Sequence, residues 1–380
     1  MLRLFLLCYL GFLVSSNIYM LIISINNAIY FKRKSKFWKN CYDVEPLVSV
    51  LVPARNEEKN IEKCVLSLLN QNYANYELLV YDDNSSDGTY GILTQLASKH
   101  KKLQIIKGEN LEQGWKGKSY GLHQLAILAK GEYLVCVDAD MEAKPDLISW
   151  AIVNMLHHKC DSLSAWPKHN LASFLHYFVV PTIYIATGFL FPVNWIKSTS
   201  NPLFSHAIGQ IMAFKKSSYE GAGGYQAIKE KINEDINMAR VMKAKNYSHI
   251  FLDATAYLEG DMYDSFKKGI DGITRTLYEY FDWKIYPIFI LTFYLFFCIV
   301  LPPFLAIGLI FYSGLLWAHF MLASFLFYLA WSIICYNRKL KWFTPIFMPI
   351  QFFIIIICGW RSIALKRRGY LWKGRYVGSV

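Results

Sequence analysis

No two of the eight cysteines stand in a C-x-x-C pair, so the spacing builds neither a zinc site nor a disulfide framework. Scattered thiols suit a reducing compartment. No G-x-G-x-x-G follows the first strand-like run, which disfavours a dinucleotide-binding fold. Gly114-Trp115-Lys116-Gly117-Lys118-Ser119 approaches a phosphate loop, but Glu112 stands where Walker A needs its first glycine. Charged residues are scarce, 18% against 54% hydrophobic, a balance that points to a membrane part. Internal repeats, low-complexity linkers and recognisable nucleic-acid motifs are absent. The net charge of +12 lies largely in clusters beside apolar segments, which favours anionic lipid headgroups over nucleic acid.

The apolar residues gather at the two ends. Leu4–Ile29 is long and apolar enough to span a bilayer and carries no small-residue cleavage site, so it reads as an anchor. Lys32, Arg33, Lys34, Lys36 and Lys39 follow it, and the positive-inside rule makes this flank cytoplasmic. A second apolar block runs from Tyr286 to Ile363, interrupted by Pro302-Pro303, by Tyr312-Ser313-Gly314 and by Arg338, Lys339 and Lys341. Two spans are expected between Tyr286 and Tyr336. Phe343–Ile363 is either a third span or, given Pro345 and Pro349, a bent re-entrant segment. The basic tail after it is expected on the cytoplasmic side.

Between these ends the elements alternate. Leu47–Val52, Glu77–Tyr81, Leu103–Lys107 and Tyr133–Val137 read as strands, and Glu57–Gln71, Thr89–His100 and Lys118–Lys130 as helices. Asn56 is a candidate N-cap for the first helix. Ile208–Lys215 reads as a further strand and Ile236–Lys245 as a further helix. This β-α order implies an α/β domain with a mostly parallel sheet. Ala172–Phe191 and Met262–Trp283 are aromatic-rich. Each fits a core helix or a surface helix lying on the membrane or against a lipid, and the second is the reading adopted.

The polar chemistry follows the strands. Asp138-Ala139-Asp140 closes the most apolar strand. Alternation along an extended chain would aim both carboxylates the same way, where they repel unless a hard divalent cation lies between them. A strand followed by an acidic turn is the plain alternative. After the second strand comes Asp82-Asp83-Asn84-Ser85-Ser86-Asp87-Gly88-Thr89. Capping accounts for Asp87 and Thr89, but not for Asp82-Asp83, which can accept hydrogen bonds from a base or ribose. Gly117-Lys118-Ser119 before a helix is either a phosphate seat or a solvated turn. Glu234-Asp235 opens a helix, where acids commonly complement the macrodipole. His123, His157 and His158 read as packing or surface residues.

The ordered set Pro53–Glu58, Asp82–Thr89, Gly114–Ser119, Asp138–Asp140, Ala207–Gln210, Gly223–Tyr225 and Glu234–Arg240 resembles the family 2 glycosyltransferases of GT-A fold. His206, the Gly223-Gly224 bend and Trp372–Tyr376 resemble membrane-bound bacterial enzymes that glycosylate lipids. The resemblance implies a Rossmann-like, mostly parallel GT-A domain flanked by transmembrane helices. The divisions are an anchor (1–30), a basic linker (31–45), the catalytic domain (46–260), an interfacial amphipathic segment (261–284), membrane segments (285–363) and a basic tail (364–380). It implies that Asp82 and Asp83 contact the nucleotide's base and ribose. Donor-binding roles extend to Pro53, Arg55, Glu57, Lys118, Asp138, Gln210 and Glu234. Asp138 and Asp140 would hold Mn2+ or Mg2+ on the diphosphate, and Asp235 would be the general base of an inverting displacement. The processive members' Q-x-x-R-W is missing: the corresponding stretch reads Gly272-Ile273-Thr274-Arg275-Thr276-Leu277. The expectation is transfer of one sugar, from UDP-glucose, to a lipid acceptor of carotenoid, terpenoid or glycerolipid type, with no nucleic-acid partner. The rivals are a polysaccharide synthase and a non-catalytic nucleotide-sugar receptor, which would have no need of Asp235.

Overall fold

The computed structural model describes residues 2–36, 45–263, 265–311, 315–368, 370–372 and 375–377. Expectations resting on Lys39, on Tyr312–Gly314 and on Lys373 lie outside them. The chain divides into two compact units: Phe31–Asn170 with Val193–Asp261, and Met1–Tyr30 with Leu171–Pro192 and Met262–Val380. A 33-residue helix, α1 (Leu2–Lys34), opens the chain.

The first unit is α/β. Its elements run β1 (Val48–Ala54), α2 (Ile61–Leu69), β2 (Tyr76–Asp82), α3 (Thr89–Ala97), β3 (Leu103–Lys107), α4 (Gly117–Leu128), β4 (Tyr133–Val137), β5 (Met141–Ala143), α5 (Leu147–His158), β6 (Ser162–Trp166) and β7 (Lys168–Asn170). They continue through α6 (Trp195–Ser198), β8 (Ile211–Lys215), α7 (Lys216–Ala222), α8 (Glu234–Ala244), β9 (His249–Asp253) and β10 (Leu258–Asp261). A seven-stranded sheet has the order β3-β2-β1-β4-β8-β6-β9, with β8 antiparallel to both neighbours and the rest parallel; this is a GT-A arrangement. β5, β10 and β7 form a small second sheet. Every residue of β4 is buried, as its unbroken apolar run demands of a strand covered on both faces.

Three expectations shift. The first helix starts at Ile61, not Glu57, and Asn56 does not cap it. Asn56 takes a left-handed backbone (φ 53°), and its side chain accepts the Ser86 amide. Glu57 and Glu58 give their amides to Thr89 Oγ1 and Asp87 Oδ2. The loop after β1 is therefore stitched to the loop after β2, which outweighs helix propensity. The strand expected from Ile208 starts at Ile211, because Ser164 Oγ accepts the Ile208 amide and donates to the Ile208 carbonyl.

The third shift lies in the other unit. Ala172–Phe191 is not one helix but short turns: 3-10 at Phe174–Phe178 and Val180–Tyr184, then a π turn at Ala186–Leu190. Side-chain amides take over carbonyls that a regular helix would satisfy. Asn27 of α1 donates to Thr187 O and Phe191 O (both 3.0 Å), and buried Gln351 donates to Tyr177 O (2.7 Å). The unit continues with α9 (Phe266–Tyr280), α10 (Ile285–Leu295), α11 (Leu301–Leu309), α12 (Leu316–Asn337) and α13 (Met348–Arg368). Among the described residues, four helical stretches are long and apolar enough to cross a membrane: Leu6–Lys34, Ile285–Leu309, Leu316–Asn337 and Thr344–Lys366. Pro302 and Pro303 sit in the first turn of α11, where proline is tolerated, and a π turn joins α10 to it without a break. Pro345 and Pro349 likewise fall in opening turns, so neither bends α13 in its interior.

Candidate active site

The C-terminal ends of β2, β1 and β4 lie side by side, the place where open α/β sheets receive ligands. At the end of β2, Asp82 is buried. One oxygen accepts the Ser85 amide, and Oδ1 has no hydrogen-bond partner among the described residues. That oxygen retains acceptor capacity a ligand donor can use. Asp83 donates its amide to Ala54 O, and Arg55 donates Nη1 to Asp83 O (2.5 Å) and Asn84 O (3.3 Å). Arg55 thus braces the acidic loop. Pro53 lies within β1 opposite Tyr81, and the Glu57 carboxylate accepts from Asn60, so both are tied into the scaffold.

β4 ends at Val137, and Asp138–Asp140 form a turn in which Met141 N donates to Asp138 O (3.2 Å). The two-residue alternation expected of these acids therefore stops before them. Lys118, in the first turn of α4, defines their surroundings. Its Nζ stands 2.7 Å from Asp138 Oδ1, 2.8 Å from Glu234 Oε1 and 3.5 Å from Gly209 O. Burial pulls the ammonium's pKa down, but Asp138 and then Glu234 outweigh it, so Lys118 is held well above its ordinary value. The lysine of the Gly-Lys-Ser turn, its side chain 33% exposed, joins the acid after β4 to the acid opening α8.

Asp235 is the next residue. Its Oδ2 accepts the Gly209 amide (2.9 Å) and Oδ1 accepts the Ile236 amide (2.7 Å). Burial, then the charge of Glu234, push its pKa up to about 7, against the opposing pull of Lys118 and the two amides. A carboxyl so placed exchanges a proton near neutrality, the property a general base needs.

Residues 206–210 thread these groups together. Gly209 meets Asp235 through its amide and Lys118 through its carbonyl. Gln210 accepts the Asp138 amide on its carbonyl (3.3 Å), and its side-chain Oε1 lies 2.6 Å from His169 Nε2, both residues buried. An amide oxygen only accepts, so His169 Nε2 is the donor. A Cβ at Gly209 would stand 2.7 Å from Lys118 Nζ and 2.8 Å from Glu234 Oε1. His206 packs between Trp166 and Phe251 and its carbonyl faces His249 Nε2. Burial drives the imidazole pKa of His206 down to about 3 and that of His249 to about 4, so both stay neutral. His169 and the steric demand at Gly209 escape the sequence reading. A lone histidine in the three-residue strand β7 carries no periodic signal, and a glycine's clearance depends on side chains from α4 and α8.

Among the described residues no group of three or more His, Cys, Asp or Glu is arranged around one metal position. Asp138 and Asp140 supply hard carboxylate oxygens. Mg2+ is commonly held by one or two carboxylates, its remaining ligands being water and substrate phosphates. The residues present fit an ion that arrives with a diphosphate.

Residues 49–223 match the model of glycosyl transferase family 2. A beta-monoglucosyldiacylglycerol synthase of Trichormus variabilis is 38% identical over 122 residues, 32% of this chain and 26% of that protein. A 4,4'-diaponeurosporenoate glycosyltransferase of Staphylococcus haemolyticus is 26% identical over 238 residues, 60% of each chain. The matched stretches thus span about a quarter of the first relative's length and three fifths of the second's. A mannosyltransferase from Pyrobaculum calidifontis, solved in complex with GDP-Man and Mn2+, superposes with a TM-score of 0.48 at 18% identity, over 84% of this chain and 85% of that one. That likeness is too weak to carry an argument.

Proposed function

From the glycosyl transferase family 2 domain that residues 49–223 form, we propose a membrane-anchored, cytoplasm-facing, inverting enzyme. It moves one sugar from a nucleotide sugar, UDP-glucose, onto the hydroxyl or carboxyl of a lipid. The observation that carries the reading is Lys118 bridging Asp138 and Glu234 beside an Asp235 that titrates near pH 7. A passive nucleotide-sugar receptor needs no such base. The names of the two relatives, a glucosyldiacylglycerol synthase and a diaponeurosporenoate glycosyltransferase, support a lipid acceptor.

In this scheme Asp82 Oδ1 and Asp83 accept from the base and ribose, with Arg55 holding their loop. Mn2+ or Mg2+ held by Asp138 and Asp140 would supply positive charge to the leaving diphosphate. Asp235 Oδ2, oriented by the Gly209 amide, takes the acceptor hydroxyl's proton. The new bond to the anomeric carbon forms as the bond to the diphosphate oxygen breaks. Lys118 holds Glu234 in place, and His169 fixes the Gln210 side chain. An acceptor carboxylate, already ionised, would need Asp235 much less.

Incubating membranes with labelled UDP-glucose and analysing lipids by mass spectrometry tests this. One hexose added to a lipid, only when the protein is present, is the expected product. A polymer, or no glycosylated lipid with any nucleotide sugar, would refute it.

A further inference from the structure

Lys118 brings positive charge to within 2.7 Å of Asp138 Oδ1, on the carboxylate that would hold a divalent ion. The lysine stands in the first turn of α4 and reaches between the acid after β4 and the acid opening α8. An ammonium has three donors. Here its partners are Asp138 Oδ1, Glu234 Oε1 (2.8 Å) and Gly209 O (3.5 Å). Gly209 leaves the tip its room, since a Cβ there would stand 2.7 Å from Nζ. The side chain is a third exposed, so a ligand can reach it while it holds these partners.

That placement works against a cation arriving alone. Among the described residues no cluster of three or more His, Cys, Asp or Glu surrounds one point, so the site offers a free ion the carboxylates of Asp138 and Asp140 and otherwise water. One of the two is already shared with Lys118, and a second cation on it would lie beside the ammonium, where like charges repel. A diphosphate changes this balance. Its oxygens fill out the ligand shell of an ion held by one or two carboxylates, and they offer Lys118 a new acceptor. A lysine is a point charge on a flexible four-carbon stem. Nζ can therefore leave Asp138 while Glu234 and Gly209 still hold it.

We infer that Lys118 is the resident counter-ion of the donor site: it keeps Asp138 occupied until a nucleoside diphosphate takes over its ammonium, so that metal binding is conditional on the diphosphate. The inference rests on the donor site proposed above and adds an order of events to it. By linkage the condition is reciprocal, the metal favouring the diphosphate as much as the diphosphate favours the metal. A lysine that only braces α4 against α8 has the opposite consequence, because removing the brace loosens both acids and weakens any cation they hold.

The test is Mn2+ binding to the full chain in detergent, read from the paramagnetic resonance of free Mn2+ with and without UDP, the same UDP without protein serving as blank. No sugar transfer is involved. In the parent, UDP should tighten Mn2+ at the protein by about tenfold or more, within the roughly 5- to 150-fold usual for coupled sites. Lys118→Met should bind Mn2+ about tenfold tighter than the parent when UDP is absent, and no tighter than the parent when UDP is bound. Unchanged or weaker Mn2+ binding by Lys118→Met without UDP overturns the inference, and so does a gain of the same size with UDP; either result leaves the proposed transfer standing. A parent that holds Mn2+ as tightly without UDP as with it overturns the inference whether or not the variant folds. A parent that binds no Mn2+ even with UDP overturns it together with the metal of the proposed scheme.

Discussion

Replacing Gly209 with alanine separates the proposed chemistry from the fold. The added methyl would stand 2.7 Å from Lys118 Nζ and 2.8 Å from Glu234 Oε1, where ordinary carbon contacts begin near 3.5 Å. Both tips must retreat by about 0.7–1 Å. They are the free ends of flexible side chains, so the backbone need not move, and alanine for glycine restricts the unfolded chain by about 0.4–1 kcal/mol in the folded state's favour. With the bridge's roughly 1.5–3 kcal/mol lost, net stability should fall by about 0.5–2.6 kcal/mol. The ion-pair bridge does not survive: losing one charge-assisted hydrogen bond is worth about 1.5–3 kcal/mol, or roughly 10- to 150-fold in rate. The expected result is a modestly lower melting temperature and kcat lower by one to two decades. Lys118→Met should lose activity similarly, and the double variant should lose little more, because both substitutions remove the same bridge. Undiminished turnover in Gly209→Ala, or additive losses in the pair, would refute the bridge's role.

Three further outcomes are expected. Asp235→Asn should keep fold and donor affinity while turnover to a hydroxyl acceptor falls about 10²–10⁴-fold; in the parent, turnover should rise with pH through about 7 as the base loses its proton, and a flat profile with normal Asp235→Asn turnover would exclude the assignment. Chelation should lower turnover about 100-fold or more, restored by Mn2+ or Mg2+, and Asp140→Asn should weaken metal-dependent donor binding; full activity in chelator would remove the metal from the scheme. His206 and His249 have folded pKa values near 3 and 4, below the unfolded 6.5, so the unfolded chain binds more protons as pH falls. Stability should be intact above pH 6.5 and fall between 6.5 and 5 by up to about 1.4 kcal/mol per histidine per pH unit. A melting temperature flat across that window, or a His206→Phe variant with the parent's slope, would contradict it.

What could be read from the sequence followed from local periodicity. The buried runs of β1, β2 and β4 and the spacing of Ile61, Val65 and Leu68 depend on neighbours a few residues away. So do the ends of the apolar helices. The start of α2 was not legible, because Asn56–Glu58 answer to Ser85–Thr89, thirty residues on. The acids Asp138 and Asp140 were found by type, but not their geometry, since alternation lapses where β4 ends. Lys118, Glu234 and Asp235 each appeared within a motif, and only the fold shows that one ammonium serves two carboxylates. The irregular backbone at Phe174–Leu190 was unreadable for the same reason: its carbonyls depend on Asn27 and Gln351, at opposite ends of the chain.

Those two amides also set a timetable for biosynthesis. Asn27 has left the ribosome well before Thr187 and Phe191 need it, but Gln351, which holds Tyr177 O, is made 174 residues after that tyrosine. At about 5–20 residues per second this is a wait of roughly 10–30 s. The seven-stranded sheet is complete once β9 is made, ending at Asp253. The α/β unit can therefore close while Tyr177 O still lacks its Gln351 donor, and a nascent chain stalled before Gln351 would carry a finished sheet and an unsecured apolar segment.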